Sequence, residues 1–205
     1  MTTKTDPSIA DLAAAYRPKV EDLMAAVSGE IIGRDDVLHA VIRALITGTH
    51  LFVLSLPGMA KSLLFERVVM RIGGLRYGMQ LMGAFTGVED VYGPLDVAAL
   101  EDSRFVRKIA GYLPDCHVYF FDEMWKGNDA INNTNLQAIN ERKYKQDGVL
   151  MDIPLSTVFA ASNELPSSGD LAAIYDRIIC RMQIHKISQD QFVRMLQVEI
   201  PDTVD

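Results

Sequence analysis

The chain has 205 residues, about half of them apolar, and a formal net charge of −7 at pH 7. That length suffices for one substantial core and lies near the upper end for a single domain, so one domain with short appendages is expected. The acidic balance argues against a general nucleic-acid-binding surface, which needs clustered Lys and Arg to neutralise phosphates. No apolar run approaches the ~20 residues needed to cross a bilayer, and residues 1–11 lack an apolar signal core, so a soluble, cytoplasmic protein without a membrane partner is expected. Cys116 and Cys180 stand far apart in no metal-binding or redox spacing, and read as buried thiols in a reducing compartment.

Ile9, Leu12, Ala13, Tyr16, Val20, Leu23, Met24 and Val27 recur three or four apart and predict an N-terminal helix, with Pro18 as a point where it kinks or divides. Gly29 and Gly33 break the chain before a second helix over 35–47, with Val37, Val41, Leu45 and Ile46 on one side. Residues 51–55 read as a short apolar strand, 55–62 as a loop, and Leu63, Leu64 and Val68 mark a helix after Lys61. Gly73-Gly74 ends that helix, and 75–82 reads as a strand. A polar, glycine-containing stretch follows over 83–102. Segments 105–109 and 112–113 predict a hairpin around Gly111, and 117–121 a strand that ends in acid. Beyond it come a helix over 129–141, a small hairpin over 144–151 turning at Asp147-Gly148, and a buried strand over 156–161. A helix over 171–179, a strand over 182–187 and the start of a helical pattern over 188–200 complete the chain. Strands alternating with helices indicate an α/β fold with a parallel sheet covered on both faces.

Three of these strands end in residues with chemistry. The segment Ser55-Leu56-Pro57-Gly58-Met59-Ala60-Lys61-Ser62 joins a strand to a helix and resembles a phosphate-binding loop, in which converging N–H groups and a cation meet phosphate oxygens. Lys61 supplies the cation, and the Ser62 hydroxyl is placed to ligate Mg²⁺ bridging the outer phosphates. The general pattern is G-x-x-x-x-G-K-S/T, and Ser55 and Ala60 hold its two glycine positions while Gly58 is kept. Ala60 is acceptable where its φ is negative, whereas Ser55 risks crowding the turn. Alone, the loop is also compatible with a strand-turn-helix carrying a solvated lysine. The run His117-Val118-Tyr119-Phe120-Phe121-Asp122-Glu123 ends in two carboxylates, one for Mg²⁺ (Asp122) and one further out for attacking water (Glu123). Asn163, at the end of Ala160-Ala161-Ser162, is a candidate to bond the γ-phosphate and lytic water, or a turn-forming Asn. The asparagines Asn132, Asn133, Asn135 and Asn140 read as a solvated helix face, and Trp125-Lys126 as a packed Trp beside a solvated Lys.

Taken together, these stretches resemble the nucleotide-binding core of AAA+ ATPases of the MoxR family, and most closely RavA-type members. The likeness rests on Pro57-Gly58-Met59-Ala60-Lys61-Ser62, Val91-Tyr92-Gly93-Pro94-Leu95, Gly111-Tyr112-Leu113-Pro114, Phe121-Asp122-Glu123-Met124-Trp125-Lys126, Ala138-Ile139-Asn140-Glu141-Arg142, Ala161-Ser162-Asn163-Glu164-Leu165-Pro166 and Tyr175-Asp176-Arg177, in order along the chain. RavA-like loops use Ala-Lys-Ser, so Ala60 follows the family while Ser55 departs from it. The resemblance implies a three-layer P-loop NTPase fold with a parallel five-stranded sheet, a helix-2 insert over 83–115 and an N-terminal helix. It implies ATP and Mg²⁺ as cofactors, with nucleotide held by Ile31, Ile32, Pro57, Gly58, Met59, Ala60, Lys61, Ser62 and Leu63, and metal by Ser62 and Asp122. Glu123, Asn163 and Arg177 take the catalytic positions, Arg177 as the finger inserted into a neighbouring subunit and Arg181 as the other candidate. Self-assembly into a ring, expected to be a hexamer, and a protein substrate or von Willebrand factor A domain partner follow from the same likeness. The expected organisation is a helical segment over 1–28, the core over 29–187, and the beginning of a truncated or reduced C-terminal lid over 188–205.

Two functions of different class remain open on these residues. One is an ATP-hydrolysing ring that remodels a protein; the other is a nucleotide-binding structural or regulatory subunit with little or no hydrolysis, motivated by Ser55 and the incomplete lid. A DNA-acting relative such as a clamp loader fits the negative charge poorly.

Overall fold

The computed structural model describes residues 8–166 and 169–197. Its strands are β1 (Leu51–Ser55), β2 (Tyr77–Leu81), β3 (Val118–Asp122), β4 (Lys143–Gln146), β5 (Val149–Asp152), β6 (Thr157–Ser162) and β7 (Cys180–Ile184). Five of them form one sheet in the order β2-β3-β6-β1-β7, and each pairing in it is parallel. β4 and β5 form a separate antiparallel hairpin. The helices are α1 (Ile9–Glu30), α2 (Asp35–Thr47), α3 (Lys61–Met70), the short α4 (Val88–Tyr92) and α5 (Val97–Glu101), then α6 (Asp129–Glu141), α7 (Gly169–Arg177) and α8 (Gln189–Leu196).

Side chains along a strand alternate between its faces, and here that alternation divides the core in two. Leu51, Val53, Val118, Phe120, Phe159 and Ala161 pack with apolar residues of α1, α2 and α3. Phe52, Tyr119, Phe121, Val158 and Ala160 point the other way and pack with α4, α6 and α7. The result is a helix-sheet-helix arrangement of three layers. Phe65 of α3 lies between Phe120 and Phe159, with ring centroids 4.9 and 4.6 Å away, so one helix residue bridges two neighbouring strands.

Several elements differ from the sequence expectation. Pro18 neither ends nor divides α1, which runs unbroken for 22 residues from a Ser8–Asp11 capping box. Its first turns carry Ile9, Leu12 and Tyr16 into solvent, and the helix meets the core only from Val20 onward. No hairpin forms around Gly111. Instead Leu95 pairs with Arg107 in an antiparallel bridge, while Leu113–Asp115 makes a 3-10 turn that buries Leu113 and Pro114. The backbone of the first arm is thereby taken: the Asp96 N–H donates to the Val106 carbonyl at 2.8 Å and the Lys108 N–H to the Pro94 carbonyl at 2.9 Å, so residues 112–113 find no ladder to join. The bridge requires Gly93, whose φ is 89° and where a Cβ would stand 2.0 Å from the Lys108 carbonyl oxygen. The stretch over 83–102 contains two short helices rather than loop alone. The last strand lies two to three residues earlier than expected, because β7 takes its register from β1, Leu51 opposite Cys180 and Ser55 opposite Ile184.

Asn132 and Asn135 are buried, not solvated, although Asn133 and Asn140 are exposed. Asn132 Nδ2 donates to the Gly127 carbonyl at 2.9 Å, and Asn135 Oδ1 accepts from the Tyr92 hydroxyl at 3.1 Å. Tyr92 in turn stacks on Tyr144 of β4, centroids 5.1 Å apart. Buried amides therefore tie the insert and the hairpin to α6. Cys116 is a buried thiol whose burial pushes its pKa up to about 11, so it stays protonated at neutral pH.

His50 joins three elements just before β1. Its Nδ1 accepts from the Val158 N–H at 3.0 Å, which leaves Nε2 as the N–H that donates to the Ile139 carbonyl at 3.0 Å. Burial, with the Arg142 charge nearby, lowers its pKa below the ordinary 6.5 despite the Ile139 bond. The unfolded chain thus binds a proton below about pH 6.5 that the folded chain refuses. Stability is predicted to be fully present above that pH and to fall by up to ~1.4 kcal/mol per pH unit below it, until the folded-state pKa is reached. Thermal unfolding from pH 7.5 to 5 should show this slope, and His50→Gln should flatten it; an equal slope in the variant would show that other groups carry it.

Candidate functional site

The carboxyl ends of β1, β3 and β6 lie side by side, the position at which open α/β sheets bind ligands. The chain leaves β1 at Ser55, turns through 56–60 and enters α3 at Lys61. Ser55 is buried and its Oγ donates to the Leu56 carbonyl at 3.2 Å, so the hydroxyl is satisfied and the turn is not crowded. Gly58 has φ 74°, and Ala60 has φ 58° and ψ 25°. Ala60 is therefore left-handed, contrary to the negative φ expected of it. The loop needs that conformation to bring its N–H groups round to the start of α3, and the alanine Cβ makes it strained. Pro57, Gly58 and Leu63 are exposed and Met59 is half-buried.

Lys61 is buried to 7% exposure. Its Nζ lies 3.9 Å from Asp122 Oδ1, and Ser62 Oγ donates to Asp122 Oδ2 over a long 3.5 Å. A buried ammonium requires a compensating charge, and the last residue of β3 supplies it. The structure thus brings together the cation, the hydroxyl and the first acid read from the sequence. Ser62 and Asp122 offer two hard oxygen donors on one side of the loop, and no cluster of three His, Cys, Asp or Glu capable of holding a metal occurs among the described residues. That donor set fits Mg²⁺, which takes one or two protein oxygens and completes its shell with phosphate and water.

Glu123 also has a left-handed backbone, φ 50°, which turns its side chain away from the strand direction. Its N–H donates to Asp122 Oδ1 at 3.1 Å. Lys126, one 3-10 turn on, sets Nζ 3.3 Å from Glu123 Oε2, an ion pair without hydrogen-bond alignment. Lys126 is thus engaged with the second acid rather than simply solvated, while Trp125 is packed between Phe52 and Tyr175 as expected. Asn163 lies one residue beyond β6 at the same edge and is exposed; the turn there is held by the Glu164 N–H donating to Ser162 Oγ at 3.3 Å.

The two arginine candidates lie at the other end of the sheet. Arg177 closes α7 and lines a shallow cavity of about 330 Å³ with Gly48, Thr49, His50 and Asn140, residues at the amino end of β1 and on α6. It is exposed, and Nη1 donates to the Ala173 carbonyl at 2.6 Å. Arg181 is committed locally: Nε and Nη2 donate to the Ile178 and Tyr175 carbonyls at 2.9 and 2.6 Å, and its guanidinium lies 3.8 Å above the Tyr175 ring. Neither is gathered with Lys61 and Asp122 within one chain. Of the two isoleucines in the link, Ile31 is a core residue and Ile32 is half-buried.

Arg34 was not read as a site residue, yet it is 8% exposed and donates to the Met59 carbonyl inside the loop at 3.2 Å. The available signal was a cation at a helix N-cap, where Ser, Thr, Asp or Asn is usual.

Residues 18–200 match the family model described as the MoxR domain in MoxR-vWA-beta-propeller ternary systems. The chain belongs to the MoxR family of AAA+ ATPases. Two uncharacterized proteins of Methanocaldococcus jannaschii are each 33% identical over 88% of this chain and 48% of their own length. A structural protein of the Acidianus two-tailed virus is 31% identical over 81% of this chain and 27% of its own. The chain therefore spans about half the length, or less, of these curated relatives. A Cytophaga hutchinsonii structure, provisionally described as an ATPase, superposes with a TM-score of 0.73 at 16% identity, over 90% of this chain and 56% of that one. The Saccharomyces cerevisiae Hsp104-ADP complex superposes at 0.59 and 17%, over 91% and 39%. At those identities the likeness is one of fold, the three-layer P-loop architecture expected from the resemblance.

Replacing Ala60 by Gly removes a Cβ from a left-handed residue and is predicted to stabilise the MoxR chain by about 1 kcal/mol, raising the unfolding midpoint by ~2–4 °C. Differential scanning calorimetry reads this directly, and a lowered midpoint would contradict the strain argument.

Proposed function

We propose that this chain is an ATP-binding and ATP-hydrolysing module that acts as a ring. The supporting observation is the convergence of Lys61 and Ser62 on Asp122 at the carboxyl edge of the sheet. In this reading loop residues 57–63 wrap the phosphates, with Lys61 against the outer ones, and Ile31 and Ile32 border the base. Bound at Ser62 and Asp122, Mg²⁺ would neutralise charge on the outer phosphates. Glu123 polarises the attacking water and Asn163 orients it. Arg177, remote from its own loop and tied among the described residues to a carbonyl of its own helix, serves the neighbouring subunit's site. ATP then lies at subunit junctions, and hydrolysis depends on assembly, with six subunits as the expected ring.

The partner in this proposal is a protein, and a von Willebrand factor A domain protein is favoured by the ternary systems for which the matching family is described. The insert and the hairpin suit such contact: the Phe105 and Arg107 N–H groups donate to Asp147 and Gln146 side chains, and both Phe105 and Val149 are exposed. The nucleotide core is assigned to 29–187, with a helical segment before it and the beginning of a lid at α8 after it, although Gly29 does not break the chain: α1 crosses that boundary to Glu30 and already packs Val27 into the core. The RavA-type likeness of Ala60-Lys61-Ser62 and a cytoplasmic setting, in which Cys116 and Cys180 remain free thiols, belong to the same proposal. No described helix is long and apolar enough to cross a membrane.

A second reading, nucleotide binding with little turnover, is favoured by one observation: Glu123 is held by Lys126 rather than free to meet water. ATPase activity measured against protein concentration separates the two. The parent should reach ordinary rates of ~1 s⁻¹ or more once assembled, and Glu123→Gln should bind ATP but lose at least about a hundredfold in turnover. Tight ATP binding without turnover at any concentration would support the regulatory reading instead.

A further inference from the structure

Arg34 breaks a local rule. It occupies the N-cap of α2 without capping it, and puts a cation where the helix dipole is positive. Its guanidinium is instead directed inward. Nε donates to the Met59 carbonyl at 3.2 Å, Nη1 to the Gly33 and His185 carbonyls at 3.0 and 3.1 Å, and Nη2 lies 3.8 Å from the Met59 sulfur. No carboxylate lies within ion-pair distance of it among the described residues, and the negative charge that acts on it is the more distant Asp36. A buried cation held mainly by carbonyls adds little to stability that an apolar side chain could not. Its placement must be sought in what the carbonyls do.

In a trans peptide the C=O and the following N–H point in opposite directions. Holding the Met59 carbonyl toward Arg34 therefore aims the Ala60 N–H the other way, and it meets no acceptor among the described residues. Gly58 and Ala60, both left-handed, make the concave run of N–H groups that receives an anion. The same guanidinium reaches His185, just past β7. Beside it, Ile187 and Gln191 pack so closely on Gly33 that a Cβ there would stand 2.9 and 3.0 Å from them.

We propose that Arg34 is a positioning residue for the triphosphate: it holds the Met59–Ala60 peptide so that the Ala60 N–H faces the phosphates, and it ties that peptide to the segment entering α8. The inference rests on the nucleotide reading above. Arg34→Met keeps the bulk and removes the donors. Its dissociation constant for MgATP should rise about tenfold to a hundredfold, the worth of one hydrogen bond to a charged group, while that for AMP, which lacks the outer phosphates, stays within about twofold. Arg34→Lys, with charge but no planar fork, should recover part of the loss.

Unchanged MgATP affinity in Arg34→Met, or equal weakening of ATP and AMP, would overturn the inference and leave Arg34 a structural tie. Should Arg34→Met fail to fold, Arg34→Lys carries the same comparison: a loss selective for ATP supports the inference, and an equal loss or none overturns it. Absence of MgATP binding in the parent would overturn the nucleotide reading itself, and this inference with it.

Discussion

The pairing of a buried lysine with the last carboxylate of β3 is the constraint from which the rest of the site follows. Lys61 cannot be buried at the start of α3 without a nearby negative charge, and Asp122 provides it only because β3 and β1 flank β6 with their carboxyl ends level. That register is secured by parallel pairings of Val118 with Thr157 and Leu51 with Phe159, and by Phe65 wedged against two strands. A slip of one residue in β3 would send Phe120 to the opposite face and carry the acid away from the loop. Core packing and site geometry are thus the same requirement.

The far side of the sheet carries a second chain of contacts. Trp125, two residues beyond Glu123, packs on Phe52 and Tyr175, and Tyr175 lies under Arg181 two residues before Arg177. The acid turn at one edge and the arginine-bearing end of α7 at the other are joined through one aromatic cluster. Arg177 itself stands at the amino edge, beside residues that precede β1. Under the proposed function this separation makes two copies of the chain necessary for one complete site, with the cluster as the packed link between a chain's own acids and the arginine it offers its neighbour.

Much of this was legible in the sequence because the signals were strong and local. β1, β3 and β6 are continuous apolar runs that end in Ser55, Asp122 and Ser162, and their polar ends fall where the chemistry lies. What was not legible depends on distant partners. Ala60 takes a left-handed conformation that its identity disfavours, because the loop around it demands one. The hairpin expected around Gly111 gave way to pairing of Leu95 with Arg107, a contact made possible by Gly93, while Leu113–Asp115 closed into a 3-10 turn. Asn132 and Asn135 look like surface residues by type, but Gly127 and Tyr92 offer partners that appear only once α6 is packed. Arg34 was hidden for the same reason, since Met59 and His185 are far from it in sequence.

Lys61, Ser62 and Asp122, if they form a metal-assisted nucleotide site, must bind ATP in a way that depends on Mg²⁺. Isothermal titration of the parent chain with ATP, in Mg²⁺ and again in EDTA, tests it most directly. Saturable binding near one ATP per chain, weakened when Mg²⁺ is removed, is expected; absence of binding, or binding indifferent to Mg²⁺, would exclude such a site.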